Sequence, residues 1–181
     1  MSPQLPCSFA KLFLFFCVIV VPLQAIGIPT AMNLSSPAFL DQTYIPVVYT
    51  AQGNNISPPL TWAQAPEDTV SFVLLCEDPD AIGGTFDHWI LYNIPASFKS
   101  LPKNFSPLST DIRSGLNSLG KKGYEGPNPP LGTHRYIFTL YALDILLDLT
   151  EGVRKEDVLQ AMQAHILAQS TLMGFYKKKN F

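Results

Sequence analysis

The chain has 181 residues, 12 Lys plus Arg against 14 Asp plus Glu, a net charge of −2, and 47% hydrophobic residues. Its charged fraction of 14% lies well below the roughly 25% of an average soluble domain, and 16 Pro with 11 Gly point to a loop-rich β protein rather than a disordered tail or coiled coil. A net negative charge with no basic run inside the domain argues against nucleic acid, which demands a Lys/Arg footprint.

At the N-terminus, Lys11 precedes the apolar run Leu12 to Val21, which Pro22 ends. As a helix this run would reach about 15 Å, half of a ~30 Å bilayer core. That length suits the apolar part of a signal peptide better than a membrane span. Cleavage is expected after Ala25, within two residues, giving a signal peptide over 1–25 and one domain over 26–181, exported to the periplasm or secreted. Cys76 would then be the only cysteine of the mature protein, so the domain must stand on its core without an internal disulfide.

Beyond the leader, short runs rich in Val, Ile, Phe, Tyr and Thr alternate with Pro- and Gly-rich turns, the pattern of an antiparallel sandwich. The expected strands are Tyr44–Thr50, Val70–Glu77, Phe86–Asn93 and Arg135–Leu143. Pro46 suits an edge or a bulge in the first of them. Cys76 alternates with Leu74, which reads as a buried strand thiol rather than a reactive one. Both faces of the last strand are largely apolar, which places it centrally and covered on both sides. The 101–133 stretch reads as a long functional loop. Val158, Leu159, Met162 and Ile166 recur at helical spacing, so an amphipathic helix is expected over 154–168, with His165 inside it. Lys177, Lys178 and Lys179 read as a solvated end.

Two segments hold residues that carry chemistry. In the first, a buried strand runs into Asp78-Pro79-Asp80, then Gly83-Gly84, then His88 and Trp89. In the second, Gly126-Pro127-Asn128-Pro129-Pro130 leads through Gly132 to His134 and Tyr136. Carboxylates within about 4–6 Å of imidazoles favour imidazolium, and a doubly protonated ring donates from both nitrogens. Two such rings beside backbone N–H groups would form a receptor for phosphate or carboxylate, with Phe86, Trp89 and Tyr136 as an apolar wall. The competing reading is a metal centre of two His and a carboxylate, but the close pairing of histidines that marks such centres is missing. The motifs of serine hydrolases, phosphate-binding loops and cysteine nucleophiles are missing too.

Over residues 35–176 the chain resembles the phosphatidylethanolamine-binding protein family, in its bacterial Raf-kinase-inhibitor-like branch. The resemblance rests on Ile56-Ser57-Pro58-Pro59-Leu60-Thr61-Trp62, Asp78-Pro79-Asp80-Ala81, Phe86 through Trp89, Asn93-Ile94-Pro95, Gly123-Tyr124 and Gly126-Pro127 through Tyr136. It implies a mostly β fold: an antiparallel β-sandwich of a large and a small sheet with a few peripheral helices, one of them C-terminal. It further implies a non-catalytic pocket for phosphate-like or carboxylate anions, including phospholipid headgroups, lined by Asp78, Asp80, His88, His134 and Tyr136 and supported by Gly126 and Pro127. No cofactor is implied. Alternative roles are inhibition of a protein partner, a protease or a kinase, through surface loops, and a small hydrolase using Asp78 and His88 as acid and base. Ile82 stands where the family usually has Pro.

Overall fold

A computed structural model of the chain describes Met1, residues 31–107 and residues 111–179. The expected signal peptide and its cleavage point lie outside the described residues. Among the described residues no helix is long and apolar enough to cross a membrane.

Among the described residues, nine strands form two sheets. β1 (Asn33–Ser35), β3 (Leu60–Ala63) and β6 (Ser100–Leu101) make the small one, in the order β1-β3-β6. The large sheet contains β2 (Thr43–Tyr44), β4 (Ser71–Asp78), β5 (Phe86–Pro95), β7 (Arg113–Ser114), β8 (Thr133–Leu143) and β9 (Ile166–Lys177). Its order is β2-β9-β8-β4-β5-β7, antiparallel except for the β2–β9 pair. This is the expected sandwich of a large and a small sheet.

Strand alternation divides the core into two layers. Phe72, Leu74 and Cys76 of β4 join Phe138 and Leu140 of β8 and Leu34, Leu60 and Trp62 of the small sheet. Val73 and Leu75 point the other way, against Val158 and Met162 of α1 (Lys155–Met162). β4 is therefore apolar from Phe72 to Cys76 because both its faces are covered there. The Cys76 thiol sits in the inner layer, where burial and then the charge of nearby Glu77 raise its pKa well above the ordinary value, as a packing cysteine requires.

Three expectations need correction. Tyr44–Thr50 is not one strand: β2 stops at Tyr44, and Val47–Tyr49 forms a 3-10 turn. Pro46 precedes that turn, and a proline cannot donate to a ladder. The stretch 101–133 is not wholly irregular, since β7 and a bridge between Leu116 and Lys122 lie within it. The C-terminal helix ends at Met162, and Ile166 begins β9, the strand with the longest register against β8. Val158 and Met162 fit a helix stripe, but the free edge of β8 offers partners to residues 166–177. A ladder of that length outweighs a local helical pattern. His165 consequently lies between helix and strand, with Nδ1 2.8 Å from Asp144 Oδ1.

Candidate functional site

The site lies at one end of the sandwich, where β4 finishes and β5 and β8 begin. Asp78 occupies the last position of β4 and continues the inward-facing series of Phe72, Leu74 and Cys76. His134 and Tyr136 belong to the inward-facing series of β8. His88 reaches the same face by a different route. Cys76 pairs with Trp89 but Glu77 pairs with Asp87, so the ladder skips His88 in a β-bulge. Strict alternation from Trp89 would turn His88 toward the helix layer. The bulge re-aims it inward, a common use of bulges beside binding sites. Its ring centroid lies 5.1 Å from that of Tyr136, edge to face, and 4.7 Å from that of Phe86.

All four polar side chains are buried: Asp78 is 3% exposed, His88 5%, His134 7% and Tyr136 1%. Each must therefore have its hydrogen bonds accounted for. Asp78 Oδ2 stands 2.7 Å from His134 Nδ1, and its Oδ1 accepts from the Asp80 amide at 2.8 Å. His134 Nε2 stands 3.1 Å from the Leu131 carbonyl. Both His134 nitrogens thus face acceptors within the protein, so this ring serves the pocket by holding the proline loop to the Asp78 turn. It does not offer two free donors to an anion, as the sequence reading supposed.

His88 differs again. Its Nδ1 donates to the Glu125 carbonyl at 2.6 Å, and the Glu125 amide donates back to the His88 carbonyl at 2.9 Å. That clamp fixes the tautomer in the neutral ring and leaves Nε2 for the site. Burial holds the His88 pKa below its ordinary value of 6.5, against the opposing pull of the Glu125 carbonyl and the Asp78 charge. The expectation that nearby aspartates raise this pKa is corrected: loss of water around the ring outweighs carboxylates that make no hydrogen bond to it.

Asp80, the least buried carboxylate of the group, does not reach a histidine. It accepts from the Arg135 side chain in a fork, Nε at 2.9 Å and Nη2 at 2.6 Å, and from the Arg135 amide at 2.9 Å. The Arg135 hydrogen bonds hold its pKa at about 2, against a smaller cost of burial. Asp80 ties the Asp-Pro-Asp turn to β8 and so positions Asp78.

Gly126 and Pro127 follow Glu125 and are packed against the 49–55 segment. A Cβ on Gly126 would stand 2.7 Å from Asn55 Oδ1 and 2.8 Å from the Tyr49 carbonyl, so only glycine fits. Its amide donates to Asn55 Oδ1 at 2.7 Å, and the Pro127 carbonyl accepts from the Ala51 amide at 3.0 Å. Glu125, Arg135 and Asn55 were missed by the sequence reading. Two of them act through backbone atoms or sit far away in sequence, and their side-chain types carried no signal.

The Tyr136 hydroxyl is the remaining group. Burial and then the Asp78 charge raise its pKa far above 10, so it stays a neutral donor. It makes no hydrogen bond of ordinary geometry. Trp62 Nε1, packed edge-on against Phe72, is the other buried polar atom in this condition among the described residues. A neutral hydroxyl beside a histidine nitrogen with unused capacity, next to a fixed carboxylate, can receive a small polar group. No group of three or more His, Cys, Asp and Glu side chains among the described residues is arranged to hold a metal ion.

Comparison with known proteins gives a consistent result. A family model described as phosphatidylethanolamine-binding protein matches residues 35–177. A UPF0098 protein of Methanothermobacter thermautotrophicus is 46% identical over 150 residues, covering 81% of this chain and 99% of that protein. One from Aquifex aeolicus is 43% identical over 152 residues, covering 81% and 89%. A solved structure from Chlamydia trachomatis, described as a phosphatidylethanolamine-binding protein homologue, superposes with a TM-score of 0.78 at 42% identity, covering 82% of this chain and 99% of that one. YbcL of Escherichia coli, described as a member of the mammalian family, superposes at 0.77 with 27% identity, covering 83% and 100%.

Proposed function

The chain belongs to the phosphatidylethanolamine-binding protein family, and from that premise we propose that it is an exported, non-catalytic binding protein for a phosphate-like anion such as a phospholipid headgroup. The observation that carries this reading is the unpartnered Tyr136 hydroxyl, buried beside His88. An incoming phosphate oxygen gives that hydroxyl an acceptor, and an unmet buried donor costs about 1–3 kcal/mol.

His88 sets the conditions. Neutral, its Nε2 is an acceptor and repels an anionic oxygen. Protonated, it donates a charge-assisted bond. Because burial lowers the His88 pKa, anion affinity rises as pH falls below about 6.5. Alternatively a monoanionic phosphate ester brings its own proton and donates it to Nε2. Non-catalytic binding is supported by the chemistry on hand: Asp78 is committed to His134, His134 to Asp78 and Leu131, and Asp80 to Arg135. No activated nucleophile stands among them. Export is supported by the length and flanks of the Leu12–Val21 run.

The test is calorimetric titration with phosphorylethanolamine from pH 5 to 8, with and without a chelator. Binding that tightens toward pH 5 and is insensitive to chelation is expected. Equal binding by His88→Ala, or loss of binding on chelation, would overturn the reading. For export, N-terminal sequencing of the secreted or periplasmic fraction should give a start near Ile26, and an intact Met1 in the membrane pellet would contradict it.

A further inference from the structure

Tyr176, the β9 partner of His134, lines a cleft whose other walls hold none of the residues of the proposed anion pocket. Its volume is about 730 Å³, and it runs between Tyr44–Val47 and Tyr176–Lys179. Sites for small molecules commonly span about 300–1,000 Å³. The floor is apolar and well covered, with Ile45 2% and Tyr176 3% exposed. The rim is made by Val47, 42% exposed, and by Lys177, Lys178 and Lys179.

The lysine segment is not a loose end, as its sequence suggested. Gln52 grips it twice: Nε2 donates to the Lys179 carbonyl at 2.8 Å, and Oε1 accepts from the Lys179 amide at 2.9 Å. The same Oε1 accepts from the Tyr176 hydroxyl at 2.7 Å. The opposite wall is tied to β9 by the Ile45 amide, which donates to the Phe175 carbonyl at 2.8 Å. Both walls are therefore held in place before any ligand arrives. Among the described residues no carboxylate lies within ion-pair distance of these three lysines, which stand side by side along one wall. Lys177 and Lys178 also line a smaller cleft of about 340 Å³ beside Pro129–Gly132, the loop that leads into His134.

Three adjacent cations with no carboxylate partner among the described residues, set beside an apolar wall, select for a molecule with both characters. A neutral apolar compound leaves the lysines unused, and a small hydrophilic anion leaves the floor unused. We propose that this cleft is a second binding site, separate from the anion pocket, for a single-chain amphipathic anion: a carboxylate or phosphate monoester on an aliphatic tail. The tail lies along the exposed side chains of Tyr44 and Val47, backed by the buried Ile45 and Tyr176, and the head group sits among the lysine ammonium groups. The site stands independently of the function proposed for the pocket.

Amide NMR titration of the protein with octanoate, octyl phosphate and 1-octanol tests it, with free ligands kept below micelle formation. Both anions should shift the amides of Tyr44, Ile45, Val47 and residues 176–179, and should bind about two- to fivefold more tightly than octanol. The triple variant Lys177→Ala/Lys178→Ala/Lys179→Ala should remove that advantage, while Val47→Asp should weaken all three ligands. His88→Ala should leave the cleft shifts intact, which separates this site from the pocket. The proposal is overturned if octanol binds as well as the anions or if the lysine variant binds unchanged. It is also overturned if the shifts centre on His88 and Tyr136, or if only anionic vesicles and not free octyl phosphate are bound.

Discussion

Two clusters of polar residues occupy the same ends of the same strands, on opposite faces, and they are built on different principles. Asp78 and His88 point inward, and their chain neighbours Glu77 and Asp87 point toward the helix layer. There Lys155 Nζ donates to Glu77 at 2.9 Å and to Asp87 at 2.6 Å. Burial works against this ammonium, but hydrogen bonds to Asp87 and Glu77 outweigh it and raise its pKa. Every charge in the outer cluster has a partner, and the cluster docks the start of α1 on the sheet. The inner cluster ends with a histidine nitrogen and a tyrosine hydroxyl left over. The difference teaches that burial and polarity do not mark a binding site by themselves. Unused hydrogen-bonding capacity gathered at one point, unlike the lone Trp62 Nε1, is what the proposed site adds.

The contrast breaks most visibly at Lys155. Lys155→Ala leaves two carboxylates side by side without their cation, and should cost about 3 kcal/mol in denaturant unfolding. Phosphorylethanolamine affinity at 20 °C should stay within about twofold of wild type. A parallel collapse of binding would mean that the two clusters act as one.

His88→Ala should do the reverse. It removes a charge-assisted hydrogen bond of about 1.5–3 kcal/mol, roughly ten- to hundredfold in affinity at pH 5.5. Stability at pH 7 should change less than in Lys155→Ala, because the ring is held there neutral. Calorimetry and unfolding on the same preparation decide between these outcomes.

Tyr136→Phe sharpens the claim about the orphan hydroxyl. It removes a donor that lies near Asp78 and the Asn128 backbone but makes no well-formed hydrogen bond in the free protein, so stability should hold or rise slightly, while affinity falls by about fivefold, near 1 kcal/mol. A clear loss of stability would show that the hydroxyl has a structural partner after all.

A smaller effect separates the clusters by pH. A histidine whose folded pKa lies below 6.5 binds protons more readily in the unfolded chain. Its contribution to stability is therefore full above about 6.5 and declines as pH falls toward the folded value. Asp80, held at about 2, contributes stability above about 3.8 that is lost only as pH falls through 2. Unfolding curves should thus show a first decline below about pH 6.5 that His88→Ala abolishes, and a later one that Asp80→Asn abolishes. An unchanged first decline in His88→Ala would place the responsible group elsewhere.

Much of this molecule follows from local chemistry. The strands β4, β5 and β8 were legible because runs such as Phe72–Cys76 and Tyr136–Leu143 are apolar on both faces and bounded by turn residues. That Asp78, Asp80, His88, His134 and Tyr136 gather at one end of the sandwich was legible too, since they flank stiff Pro and Gly turns. Tertiary structure decided what each of them does. β9 displaced the second half of an expected helix because β8 needed a partner along its whole edge. A one-residue bulge turned His88 inward, and strand alternation in the sequence cannot reveal a skipped residue. Pairing across 56 positions gave Asp78 to His134, and pairing across 55 positions gave Asp80 to Arg135, leaving His88 to be governed by burial. The sequence determined which groups are present at this end of the sandwich. Which of them keep a free hydrogen bond depended on long-range pairing and on the exclusion of water, and both arise only when the sheets close.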